Sequence, residues 1–201
     1  MRAHSPELHI KILMIGNSSV GKSSLLMRWS ENQWLPEYEA RQTIGVEVKR
    51  CKLDVRGEKV NLAVWDTAGE QQFRTMQLAH YRGAQGILLV YDASCRQSFE
   101  DLTHWFAEMA TYVSGPVIKV IVGNKVDEES QRRVPAEEAA ALAEKMDCHF
   151  IETSARTAVG VRKAFRDIVE RIMGKPELRV IFKPSSPQAS FARPRPPRFT
   201  W

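Results

Sequence analysis

Short apolar runs alternate with amphipathic stretches along the chain, which predicts strands joined by helical crossovers. The runs fall at 9–15, 46–55, 59–66, 86–92, 117–123 and 149–152. Arg56-Gly57-Glu58 turns the second run back along the third, which sets one antiparallel edge strand in an otherwise parallel six-stranded sheet. Helical spacing is plainest near the end, where Val161, Ala164, Phe165, Ile168, Val169 and Ile172 repeat at three and four residues and Gly174 stops the run. Another helix is predicted from Pro135, a residue suited to a first helical position, to Met146. This alternation is an α/β pattern with helices on both faces of the sheet.

Composition changes this picture only at the ends. With 201 residues, 43% of them hydrophobic, the chain suits one domain and an appendage. Six of its ten prolines follow Gly174, and ARPRPPRF has neither helical nor strand period. Residues 174–201 therefore read as a Pro/Arg-rich disordered tail, residues 8–173 as the domain, and 1–7 as a disordered N-terminus. The net charge of +5 belongs to the tail, which has six Lys/Arg against one acid, so the domain is near neutral and nucleic acid is not expected as a partner. No apolar run is long enough for a membrane span. Cys51, Cys95 and Cys148 have neither disulfide-framework nor zinc spacing, so a reducing, cytoplasmic setting is expected.

Candidate chemistry sits where strands end. Gly16-Asn17-Ser18-Ser19-Val20-Gly21-Lys22-Ser23 satisfies G-x-x-x-x-G-K-[ST] between an apolar strand and a helical stretch. Its glycines let the backbone wrap closely, so N–H groups from Ser18, Ser19, Val20 and Gly21 through Lys22, Ser23 and Ser24 aim at phosphate oxygens. Lys22 adds positive charge for the β and γ phosphates, and the Ser23 hydroxyl suits Mg²⁺. The bland alternative, a glycine-rich structural turn, predicts no further motifs, and further motifs are present. Asp66 ends a strand in Trp65-Asp66-Thr67-Ala68-Gly69, where it can hold a magnesium water; alone, such an acid is as often a helix cap or turn residue. Gly123-Asn124-Lys125-Val126-Asp127 offers a carboxylate that accepts both hydrogen bonds from the N1 and N2 side of guanine, a donor pair adenine lacks. Thr153-Ser154-Ala155, with Arg156 next, would close that pocket with a backbone N–H to the guanine oxygen.

With these motifs in order, the chain resembles a Ras-superfamily GTPase of the Rab family, most closely in TIGVEVK (43–49), WDTAGEQQFRT (65–75), HYRGA (80–84) and LLVYDA (88–93). The resemblance implies a three-layer P-loop NTPase fold, GTP/GDP and Mg²⁺ as ligands, and a switch in vesicle traffic. It makes Thr43 the switch threonine on Mg²⁺ and the γ phosphate, Gly69 a second γ-phosphate sensor, and Trp34 a stacking partner of the guanine edge. Expected partners are an exchange factor, a GTPase-activating protein and effectors, each meeting a monomer. The rivals are a GTP-binding module with little hydrolysis and a P-loop small-molecule kinase; the Asn124–Asp127 motif argues against the second.

Three positions depart from the family pattern. Glu70 and Gln71 stand in inverted order where the family has glutamine then glutamate. A carboxylate beside the γ phosphate disfavours triphosphate and changes how the attacking water is held, so abnormal intrinsic hydrolysis is expected, in either direction. Of the family's three effector-facing aromatics, at Val48, Trp65 and His80 here, only the tryptophan remains, and Val48 and His80 are either ordinary surface residues or the mark of unusual partners. No cysteine follows Cys148, so lipid anchoring of the usual kind is not expected. Membrane association is then weak or absent, and peripheral to endomembranes only through another anchor or partner.

Overall fold

The computed structural model describes residues 7–36, 39, 43–69, 79–182 and 198–199. The sheet runs β6-β5-β4-β1-β3-β2. Its strands are β1 (Glu7–Ile15), β2 (Val46–Val55), β3 (Glu58–Thr67), β4 (Gly86–Asp92), β5 (Ile118–Asn124) and β6 (His149–Glu152), within one or two residues of the predicted runs. Five are mutually parallel, and β2 lies antiparallel to β3 at the edge, as expected. The connection between β2 and β3 is tighter than the three residues predicted. Val55 pairs with Glu58, so Arg56 and Gly57 alone make the turn, both with positive φ (53° and 80°), the hand that suits strand twist.

Helices that lie wholly among the described residues and flank the sheet are α1 (Lys22–Glu31), α2 (Arg96–Glu100), α3 (Leu102–Tyr112), α4 (Ala136–Lys145) and α5 (Val161–Met173). Pro135 stands just outside α4 as its N-cap, with extended ψ of 144°. Alternation along β1 divides the core. Ile10, Ile12 and Met14 pack with Leu26 and Trp29 of α1 and Phe165 and Ile168 of α5, while Leu13 and Ile15 pack with Trp105, Phe106 and Met109 of α3 and Ala139 of α4. Trp29 stacks on Phe165 with centroids 4.5 Å apart, so the two helices on the first face meet ring to ring.

The expected boundary at Gly174 is corrected. Pro176–Leu178 makes one 3-10 turn, and β7 (Val180–Phe182) pairs antiparallel with the first residues of β1, so the domain extends through 182. β4 joins β1 only from Ile12 onward, which leaves the start of β1 open on that side for β7. Glu7 likewise belongs to β1 rather than to a disordered N-terminus. A two-residue strand, β8 (Arg198–Phe199), pairs parallel with Lys52 and Leu53 on the outer edge of β2.

Candidate functional site

A cleft of about 380 Å³ opens at the carboxyl ends of β1, β3 and β5, where an open α/β sheet leaves its loops free to meet a ligand. One wall is the 16–24 loop and the start of α1. Gly21, at φ 92°, caps the helix with no side chain, and a Cβ there would stand 2.4 Å from Asn124 Nδ2. Gly69 approaches so closely that a Cβ would lie 2.2 Å from Asn17 C and Ser18 N. Only glycine permits either contact.

Lys22 is 6% exposed, and its ammonium donates to the Gly16 and Asn17 carbonyls at 2.8 and 2.7 Å. Burial draws its pKa down to about 8, against the charge of Asp66, which favours the ammonium. Beneath it three oxygens converge. Ser23 Oγ lies 2.6 Å from Thr43 Oγ1 and donates to Asp66 Oδ2 at 2.5 Å, and Thr43 Oγ1 stands 3.5 Å from the same carboxylate oxygen. Asp66 is fully buried, and its Oδ1 has no hydrogen-bond partner among the described residues. Burial raises its pKa to about 6, with the Ser23 hydrogen bond and the Lys22 charge pulling the other way. Two hydroxyls and a carboxylate with an unused oxygen form a hard-oxygen donor set, which suits Mg²⁺.

At the other end Asn124 joins three loops: its Nδ2 donates to the Val20 carbonyl at 2.9 Å, and its Oδ1 accepts from Thr153 Oγ1 at 3.2 Å and from the Ala155 N–H at 3.3 Å. Lys125, at φ 64°, ties back to Asp92 at 2.9 Å. Asp127 lines the cleft with Arg156 Nη1 3.9 Å away, and the same guanidinium lies 5.7 Å from the Trp34 ring. Asp127, Arg156 and Trp34 thus bound one compartment.

Family-wide comparison decides the identity of this arrangement. The Ras family model matches residues 11–174. The chain is 45% identical over 175 residues to Ras-related protein Rab-18 of Caenorhabditis briggsae, an alignment covering 87% of this chain and 85% of that one. It is 47% identical to Rab-18 of Lymnaea stagnalis (84% and 83% covered) and 42% identical to GTP-binding protein ypt2 of Schizosaccharomyces pombe (86% and 85%). The chain belongs to the Rab branch of the Ras family. As a Rab-like small GTPase it binds GTP and GDP with Mg²⁺, hydrolyses GTP to GDP and phosphate, and acts as a switch in membrane traffic. The alternative of a binding module with little hydrolysis is not favoured. Exchange factors, activating proteins and effectors are the general partners of such a Rab protein. Among the described residues no helix is long and apolar enough to cross a membrane.

Of the predicted site residues, Ser18, Ser19, Gly21, Lys22, Ser23, Ser24, Thr43, Gly69, Trp34, Asn124, Lys125, Asp127, Ala155 and Arg156 all line this one cleft of the Rab chain. Val20 and Ser154 stand behind the wall. Val20 packs in the core and lends its carbonyl to Asn124, and Ser154 Oγ accepts from the Thr157 N–H at 2.9 Å. Glu70 and Gln71 lie outside the described residues. Sequence reasoning missed Thr67, which lines the cleft and whose hydroxyl donates to the Met14 carbonyl of β1 at 2.8 Å, and Leu35, which also lines the cleft. It also missed Asn17 as an anchor: Nδ2 donates to Asp101 Oδ2 at 2.6 Å, and Oδ1 accepts from Trp105 Nε1 at 2.9 Å.

Proposed function

We propose that the nucleotide lies along the whole cleft, phosphates over the 16–24 loop and guanine between Trp34, Asp127 and Ala155. The observation that carries this reading is that Lys22, Ser23, Thr43 and Asp127 all line one cavity, with the buried Asp66 carboxylate directly behind the two hydroxyls. Lys22, held by two carbonyls, loses little freedom on meeting the β and γ phosphates. Ser23, Thr43 and Asp66 would hold Mg²⁺, Asp66 through a water; bound there, the ion neutralises charge across the β and γ phosphates. Asp127 accepts from guanine N1 and N2, and the Ala155 N–H meets the guanine oxygen. In hydrolysis a water oxygen bonds to the γ phosphorus as the bond to the GDP oxygen breaks, and its proton leaves with the phosphate. Glu70 stands in the chain where the family's glutamine orients that water and changes how it is held, and Gln71 serves in its place only through a one-residue shift of register. Loss of the γ phosphate releases the loops bearing Thr43 and Gly69.

The working protein is a monomer whose effectors read a patch in which His80 tilts against Trp65 (centroids 5.1 Å apart) and Lys11 Nζ stands 4.4 Å above the same indole. Its setting is cytoplasmic, and it reaches endomembranes through partners.

Titration calorimetry of the purified chain is expected to give GDP binding and no ADP binding. Asp127→Asn should lower GDP affinity by about a hundredfold or more, the worth of two charge-assisted hydrogen bonds, and Lys22→Ala should weaken it severely. A preference for ADP, or GDP affinity unchanged in both variants, overturns the assignment. Single-turnover hydrolysis by Glu70→Gln should differ in rate from the parent chain, and equal rates refute a role for Glu70.

A further inference from the structure

We propose that Arg28 is the positioning residue for guanine recognition, acting through the 154–156 loop. This rests on the base end of the cleft being a guanine site. Arg28 lies six residues beyond Lys22 on α1, about 9 Å along the axis from the phosphate loop, so it meets no phosphate. Its guanidinium faces the base loop instead. Nε donates to the Ala155 carbonyl at 2.7 Å and Nη2 to the Arg156 carbonyl at 3.0 Å. Nη1 donates to the Asn32 carbonyl at 2.9 Å. Asn32 is the left-handed C-cap of α1, its own N–H bonded to the Arg28 carbonyl, and the chain passes from it through Gln33 to Trp34. One planar fork thus fastens both walls of the base compartment to the helix that starts at the phosphates.

The chemistry of the peptide group gives this fork its effect. In a trans peptide the C=O and the following N–H point in opposite directions. With the Ala155 carbonyl drawn to α1, the N–H of Arg156 is turned away from it. The Ala155 N–H is held independently, by Asn124 Oδ1 at 3.3 Å. Arg28 and Asn124 therefore grip the same loop from two sides and set the orientation of successive amide donors. The Arg156 N–H, turned away from α1, and the Ala155 N–H, shared with Asn124 Oδ1, are the donors this proposal offers to a carbonyl on the purine. Charge-assisted bonds from a guanidinium are stronger than neutral ones, and a lysine in its place delivers a single ammonium where three acceptors diverge.

The test separates the 6-oxo group from the rest of the nucleotide. Affinities of GDP and of 2-aminopurine riboside 5′-diphosphate, which lacks that oxygen and with it the N1 hydrogen that faces Asp127, are measured on the full chain and on Arg28→Ala and Arg28→Lys, and each variant is compared with the parent on the same ligand so that the N1 loss cancels. The parent chain should favour GDP. Arg28→Ala should lose GDP affinity by about tenfold or more, the worth of one charge-assisted bond, while affinity for the analogue stays within about twofold, and Arg28→Lys should fall between. Retained binding of the analogue also shows that Arg28→Ala is folded. Equal losses on both ligands, or no loss on either, overturn the proposal. A parent chain that binds both ligands equally overturns the guanine-site reading itself, and with it this inference; a parent that discriminates while Arg28→Ala discriminates equally well overturns only the role of Arg28.

Discussion

At the scale of single residues, function was legible where the chemistry is contiguous in the chain and hidden where it is assembled from a distance. Lys22, Ser23 and Asp127 announce themselves because each stands in a run whose neighbours serve the same ligand. Arg28 does not, because its acceptors lie 127 and 128 positions away and an arginine on a helix carries no local sign of them. Asn17 is a similar case, its amide shared between Asp101 and Trp105. Asn17→Ala should destabilise the fold by about 1–3 kcal/mol, the cost of cutting buried polar pairs, read as a shift in the denaturant midpoint. His80 offers a pH test. Burial and then the nearby Lys11 charge hold its pKa below the ordinary 6.5. Between the folded value and 6.5 the unfolded chain carries the extra proton, so stability rises with pH through that window and is lost as pH falls through it. His80→Gln should flatten part of that slope in thermal melts between pH 5 and about 7.5; an unchanged slope contradicts it.

Among the elements, the central strand runs stood out because they are buried on both faces, β4 along its whole length, while β2 at the edge alternates buried and exposed residues. α5 stood out because its apolar stripe is clean. α3 carried the same signal, with Leu102, Trp105, Phe106 and Met109 buried at helical spacing, but its stripe is only three turns long and mixed with exposed polar residues. The β2–β3 hairpin shows where local preference yields to context. Arg56 adopts φ 53°, a conformation better suited to asparagine, and its ion pair with Glu170 is exposed and worth little. Arg56→Asn should raise stability by roughly 0.5 kcal/mol, seen as a higher urea midpoint with unchanged slope; a fall would assign the ion pair more than its expected share.

For the whole molecule, the segment after α5 is the main revision. Leu178 is buried, its carbonyl accepts from Gln85 Nε2 at 3.0 Å, and Gln85 also bonds the His9 carbonyl and the Lys11 N–H on β1. Removing residues 175–201 should therefore cost about 2–3 kcal/mol, or roughly 5–10 °C in melting temperature; an unshifted melt would show that β7 contributes nothing. The proline-rich composition beyond Gly174 concealed this, because a three-residue strand has no period to read and its stability comes from an open stretch of β1 far away in the chain. What the sequence determined by itself is the alternation of strands and helices and the motif runs whose residues we propose meet phosphate and base, since both are encoded in neighbouring residues. What only the tertiary structure decided is how those groups are held: the Ser23–Thr43–Asp66 convergence, the Asn124 junction and the Arg28 fork each join segments whose nearness arises from strand order, and strand order is set by the burial of both sheet faces together.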